Sequence, residues 1–323
     1  MNLGVFAVLF ADRPIDKALD HILENGISHV EIGCGGYPGN DHCKPKKLLE
    51  DPDQAKKIKN MIRERSMHID ALSVHGNALH PNKDIGQSHH QDLLNTIKAA
   101  NELEVDTVVT FAGCPGDSDN AHYPNWVTST WPPDYRDLLE WQWTEKVIPY
   151  WQQIAEQAQK YGVKIAIEPH PGFVVYNTEN MSRLRESVGE TIGLNFDPSH
   201  LFWQQSDPID MIKKFGKEQA IYHVHAKDIY LDYQNISVNG VLDTKPFSEI
   251  LDRSWYFRTI GYGHGEEEWK KIISALQAVD YDGVISIEHE DALMLPDEGF
   301  RKAVNFLKNT LIREKNTAAI WWD

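Results

Sequence analysis

Cysteine is scarce in this chain: 323 residues carry three, Cys34, Cys43 and Cys114. An odd count with no CxxC pair argues against a disulfide framework and against a thiolate zinc site. Three scattered thiols read as the reduced cysteines of a cytoplasmic protein. Positive charge is also short, with 32 Lys and Arg against 48 Asp and Glu and a formal net charge of −16. Such a surface repels nucleic acid and anionic membrane, so neither is an expected partner. No apolar run approaches the roughly 18 residues that span a bilayer. The opening MNLGVFAVLFADRP has neither a basic leader nor a small-residue cleavage site, and reads as a first strand rather than a signal peptide. Glycine-rich phosphate loops are missing too: no GxGxxG or GxxxxGK[ST] follows a strand, which weakens a doubly wound nucleotide-binding sheet. No linker rich in Gly, Ser or Pro divides the chain, so residues 1–323 are expected to form one soluble domain.

What is present is a regular alternation. Apolar residues make up 41% of the chain, ample for a full core. Eight apolar runs read as strands, at 3–10, 29–33, 69–75, 107–112, 163–168, 193–197, 221–225 and 284–288. Helical spacing of apolar residues marks helices at 15–25, 54–65 and 92–103, with further helices at 140–160, 178–188, 207–216, 266–279 and 297–313. Eight strands, each followed by a helix, close naturally into a single (β/α)8 TIM barrel. Three segments after strands are long, at 34–53, 113–139 and 226–265. Loops of that length on the catalytic face build a substrate pocket. The tail AAIWWD is aromatic for a terminus and is expected to pack on the barrel or on a second subunit.

Four strand-like runs in the second half end in a residue able to bind a divalent metal: IAIEPH in Glu168, GLNFDPSH in Asp197, YHVHAKD in His225 and VISIEHED in Glu288. Taken singly, each is explained by a cap or an ion pair. Together they would bury three carboxylates at one barrel mouth, and a cation relieves both the desolvation and the mutual repulsion. Three oxygen donors and one imidazole suit Mn²⁺ or Mg²⁺, with Co²⁺, Fe²⁺ or Zn²⁺ also admissible. Four protein ligands leave about two positions of an octahedral ion open. Those positions suit the adjacent oxygens of a hydroxy-ketone, where a cation polarises the carbonyl and stabilises an enediolate.

The alternation, the strand-end ligand set, the DPSH step, the HxHAKD step and the closing IEHED resemble the xylose-isomerase-like TIM-barrel superfamily over nearly the whole chain. That superfamily includes ketose 3-epimerases, inosose isomerases and dehydratases, and endonuclease IV. The resemblance implies that Glu168, Asp197, His225 and Glu288 are the metal ligands. It also implies that Glu168 and Glu288 are the catalytic pair, one taking a proton beside the carbonyl and the other returning one on the far face. His200, three residues after Asp197, matches a substrate-contacting histidine of the epimerases. His170 departs from the simplest epimerase pattern, in which a further glutamate contacts the substrate's end hydroxyl.

Other polar residues fall near the same face. His75 and Asn77 close the third strand, Lys227 and Asp228 follow the metal histidine as a possible ion pair, and Arg258 and His264 lie in FRTIGYGHGEEEW. The expected substrate contacts are thus His75, Asn77, His170, His200, Lys227, Arg258 and His264. Glu31 reads equally as a site residue or as a pairing group inside the barrel mouth, His223 as a group that supports a ligand or fills the interior rather than one that contacts substrate, and Trp126, Trp131 and Trp203 as sugar-stacking or core residues. His42, His80, His89 and His90 need no role. The acidic, glycine-poor HEDALMLPDEG after Glu288 disfavours a phosphate site, so the expected substrate is an unphosphorylated sugar or keto-sugar.

The leading expectation is an isomerase or epimerase working through a metal-stabilised enediolate. β-Elimination on an inosose or 3-keto-glycoside shares its first step. An endonuclease IV-like nuclease conflicts with the charge, and a non-catalytic sugar-binding barrel with the intact ligand set. A homo-oligomer is compatible with all of them.

Overall fold

The computed structural model describes residues 1–314 and 316; the expectation for AAIWWD lies outside them. Eight parallel strands close the barrel: β1 (Asn2–Phe6), β2 (His29–Gly33), β3 (His68–Ser73), β4 (Thr107–Phe111), β5 (Lys164–Glu168), β6 (Ile192–Phe196), β7 (Ile221–Ala226) and β10 (Val284–Ile287). Their order around the ring is β1-β10-β7-β6-β5-β4-β3-β2. Helices cover the outer face, and the main core fills the space between strands and helices, with Trp143, Trp151, Trp269, Phe215 and Phe300 among its largest members. None of the described helices is long and apolar enough to cross a membrane.

The barrel interior is layered. Its middle holds small side chains, Ala71, Val109 and Ala166, with Tyr222 packed against them. Other strand residues of the interior are polar: Glu31, Ser73, His223, His225 and Ser286 are all buried. Inward residues recur every second position along a strand, so His223 and His225 share one face of β7, and Ser286 and Glu288 one face of the chain through β10.

Several boundaries differ from those read off the sequence. The first strand stops at Phe6, and Ala7–Phe10 is a single 3-10 turn; a short apolar run looks the same in both conformations. The helix expected at 92–103 begins at Lys83, where Asn82 accepts from the backbone N–H of Asp84 and Ile85. Its first turns are polar and half-exposed, and apolar spacing does not register them. The segment 226–265 is not an open loop. It contains an antiparallel hairpin, β8 (Asp228–Leu231) with β9 (Trp255–Arg258), and a helix at Tyr233–Asn239. In the long segment after β4, a π-helical turn at Gln142–Val147 places Gln142 beneath the loop. Its amide donates to the carbonyls of Pro115, Gly116 and Asn125, which ties that loop down.

Candidate metal centre

β10, β7, β6 and β5 are consecutive around the ring. Each delivers one side chain at its C-terminal end: Glu288, His225, Asp197 and Glu168. One ligand atom from each lies within 4.8 Å of all the others. Asp197, Glu168 and His225 are buried, and Glu288 is the least covered, with 12% of its side chain exposed. Asp197 Oδ2 and Glu288 Oε2 are buried and face cationic or imidazole groups, Asp197 Oδ2 meeting Lys227 at 3.0 Å and His200 at 3.1 Å, and Glu288 Oε2 meeting Lys227 and His225 at 2.9 Å each. Three carboxylates converging beside one imidazole nitrogen are a donor set that fits a hard divalent cation.

The groups around the quartet orient it. Glu31 accepts from Ser73 and Ser286 and from Nε2 of both His223 and His225, each at 3.0 Å. A carboxylate on Nε2 leaves Nδ1 of His225 facing Glu168 and Glu288, at 3.2 and 2.9 Å. That is the carboxylate–histidine arrangement that orients a metal-binding imidazole. Glu31, His223 and His225 also cluster closely enough to hold an ion themselves. Glu31 has four donors already, so it reads as support. Glu168 is held on both oxygens, Oε2 by His75 at 3.0 Å and by the Asn195 amide at 2.8 Å, and Oε1 by His200 at 3.0 Å.

Lys227 replaces the expected rim ion pair. Its ammonium is buried, 3.0 Å from Asp197, 2.9 Å from Glu288 and 3.3 Å from Glu290, over the ring of Phe257. Burial opposes its charge, but Asp197, Glu288 and Glu290 outweigh burial and raise its pKa well above the usual lysine value. For Glu168, burial favours the protonated form; His75 and the hydrogen-bonding histidines reverse that and hold the carboxyl well below its usual range. For Glu288 burial likewise acts upwards, and Lys227 and His225 bring the carboxyl below its usual value. Burial is the main cause that depresses the pKa of His170 well below 6.5, helped by its neighbour His200. His170 Nδ1 lies 2.7 Å from the Pro171 carbonyl, which can only accept. Its Nδ1 therefore carries the proton, and Nε2 is left as an acceptor.

Above the quartet lies a cavity of about 600 Å³. Glu168, Glu288, His75, His170 and Lys227 reach it, and Phe111, Phe173 and Phe257 form much of its wall. A mostly aromatic cavity with a few convergent polar groups is the usual form of a small-molecule site. His200 is fully buried behind it, against Glu168 and Asp197 at 3.0 and 3.1 Å, and touches His170 at 4.1 Å between ring centroids.

Four expected substrate contacts do not line this cavity: His200, buried behind it, and three that are engaged elsewhere. Asn77 holds the backbone of Cys114 through both ends of its amide. Arg258 pairs with Asp291 and lies over Tyr262. His264 donates to Asp228 and stacks on Phe202 at 3.8 Å. Asp228 itself turns away from Lys227 and accepts the backbone N–H of Gly261, Gly263 and His264, which anchors the hairpin. Two polar site residues were missed. Asn195 sits two positions before Asp197 and Glu290 two after Glu288, so the period of two along a strand was a signal for both. Trp131 is exposed.

The chain belongs to the xylose isomerase-like TIM barrel family, whose model matches residues 19–310. Among its relatives, the YfiH protein of Bacillus subtilis (strain 168) is 36% identical over 314 residues, 96% of this chain and 99% of its own length. An inosose dehydratase of Bacillus cereus (strain AH820) is 28% identical over 174 residues, 53% of this chain and 55% of its own. The crystal structure of IOLI protein with a binding zinc atom superposes with a TM-score of 0.64 at 16% identity, covering 96% of this chain and 98% of that one, which shows the shared fold.

Proposed function

We propose that the protein is a divalent-metal-dependent sugar isomerase or epimerase, acting on an unphosphorylated sugar or keto-sugar by removing a proton beside a carbonyl. The observation that carries this reading is the convergence of Glu168, Asp197, His225 and Glu288 within 4.8 Å beneath a cavity of sugar-sized volume. When bound there, a divalent cation such as Mn²⁺ supplies Lewis acidity at the substrate carbonyl and charge compensation for the enediolate.

The two glutamates come from the outer strands of the four, with Asp197 and His225 between them. That placement suits carboxylates working from two sides of a ring. One takes the proton as a general base and the other delivers a proton to the opposite face. Their surroundings favour the ionised form of both, so one is ready as the base, and the other must first take up a proton, from water or a substrate hydroxyl, before delivering it. Lys227 brings a full positive charge to the cavity and donates to a substrate oxygen. His170, neutral and with a fixed tautomer, accepts from a substrate hydroxyl through Nε2. Phe111 and Phe173 cover the apolar side and exclude water.

A second reading keeps the first proton transfer and ends in β-elimination. The likeness to an inosose dehydratase over about half of each chain favours it. The experiment is incubation of the Mn²⁺-loaded protein with ketoses, inososes and 3-keto-glycosides in deuterated water. Deuterium at a single carbon next to the carbonyl supports both outcomes. Loss of water separates elimination from isomerisation. Absence of exchange on every substrate sinks the shared step.

A further inference from the structure

A second cavity, of about 260 Å³, adjoins the first. It is lined by Trp126, Trp203 and Trp255 together with Pro171, Leu242 and Thr244. Pro171 and Trp255 are walls of both cavities. Trp203 and Trp255 stack on each other, with ring centroids 5.5 Å apart and planes 16° from parallel. Trp255 donates its indole N–H to the Val241 carbonyl at 2.9 Å. The other two indoles differ: Nε1 of Trp126 and Nε1 of Trp203 are buried and have no hydrogen-bond partner among the described residues. Trp203 is only 3% exposed.

A buried N–H without an acceptor is costly, so such donors ordinarily meet water or a ligand oxygen. Both indoles belong to residues that line one aromatic pocket, with their N–H edges covered in this conformation, and a small side-chain rotation would bring them to a ligand with an apolar face and several oxygens. A pyranose ring has both: its C–H face packs on indole and its hydroxyls accept from the N–H groups. An aromatic group would fill the space but leave both donors unmet. The volume falls just under the usual range for small-ligand pockets, about 300–1,000 Å³, which suits one ring rather than an oligomer.

We infer that this cavity is a subsite for a second sugar ring, and that the substrate is disaccharide-sized, a glycoside whose reacting ring lies over the glutamates. The inference rests on the reading of the first cavity as the reaction site. The hairpin and the segment after it, which supply Trp255, Leu242 and Thr244, are then the elements that select for the second ring.

The test is calorimetric titration of the metal-loaded protein with cellobiose, maltose, trehalose and methyl glucoside. At least one disaccharide is expected to bind about tenfold more tightly than the monosaccharide glycoside. Trp126→Phe keeps most of the ring but deletes the donor, and should reduce that preference about fivefold. Leu242→Arg crowds the cavity from its exposed rim without touching the core, and should bring the preference towards one even if the Trp126 variant folds poorly. Equal affinities in the wild type, or a preference unchanged in both variants, overturn the subsite. So does tighter binding of p-nitrophenyl glucoside than of any disaccharide, with no dependence on Trp126. Disaccharide preference without any deuterium exchange would instead sink the proposed reaction and leave the subsite standing.

Discussion

Glu31 and His225, on strands β2 and β7, meet across the barrel interior at 3.0 Å, carboxylate to Nε2. The contact fixes which nitrogen of His225 faces Glu168 and Glu288. Burial acts against ionisation of Glu31, but His225 and His223 prevail and keep it well below the usual carboxyl range. Replacing Glu31 by Gln leaves the shape and removes the charge. Cation affinity should fall about 10- to 100-fold, as for other groups that hold a ligand from behind. Titration of the variant with Mn²⁺ checks this; an unchanged affinity would show that Glu31 supports the barrel and not the cation.

Removing the metal should be visible in stability. Binding to the folded chain alone adds about 3 kcal/mol at a hundredfold excess over Kd. Protein stripped with a chelator should therefore melt several degrees below protein supplied with Mn²⁺ or Zn²⁺. Identical melting curves would count against the quartet as a metal centre.

Lys227 compensates Asp197 and Glu288 at 3.0 and 2.9 Å. Lys227→Met leaves those carboxylates buried without their cation, which should cost about 3 kcal/mol or more in urea denaturation. Saturating Mn²⁺ should recover part of the loss, since the ion faces the same oxygens. An equal loss with and without metal would place Lys227 outside the electrostatics of the site.

Gly36 has φ +65° and sits on the chain at β3: a Cβ there would stand 2.0 Å from the carbonyl oxygen of His75. The neighbouring Tyr37 N–H donates to that same oxygen at 2.7 Å. Gly36→Ala should cost about 2 kcal/mol or more through backbone strain and steric conflict. Thermal unfolding measures it, and a neutral result would mean the loop shifts freely away from His75.

Asp243 gives a pH dependence away from the metal centre. Burial acts upwards on it, but the backbone N–H groups of Ser254 and Lys245 and the Lys245 ammonium bring its pKa down to about 2. Its folded value is depressed, so the stabilisation is complete above the unfolded aspartate value near 4 and declines as pH falls towards about 2. The contribution is about 1 kcal/mol once solvent screening is allowed for. Asp243→Asn should therefore destabilise the protein at pH 7 and have progressively less effect below pH ~4. A pH-independent difference would refute the assignment.

The barrel was legible because parallel strands are covered on both faces and read as short unbroken apolar runs. Glu168, Asp197, His225 and Glu288 were legible because each closes such a run. The hairpin was not: its pairing joins Asp228–Leu231 to Trp255–Arg258 across a long intervening stretch, and local periodicity does not record such a contact. Asn77, Arg258 and His264 looked like pocket residues because they are polar and lie beside strand ends. Their side chains instead meet the backbone or acids of neighbouring loops. The aromatic wall was overlooked for the opposite reason, since Phe111, Phe173 and Phe257 are indistinguishable by type from core.

All four proposed ligand positions lie on one uninterrupted arc, β10, β7, β6 and β5, while β1 to β4 complete the circle. The facing arc supplies Val8, Leu9, Tyr37 and Phe111 to the cavity, and sends His75 and Glu31 to the ligands Glu168 and His225. The ligand set is thus confined to one semicircle, while both semicircles shape the cavity. Changes at Val8, Leu9 and Tyr37 would therefore reshape the cavity without replacing a ligand, whereas changes at Glu31 or His75 would reach the ligands themselves.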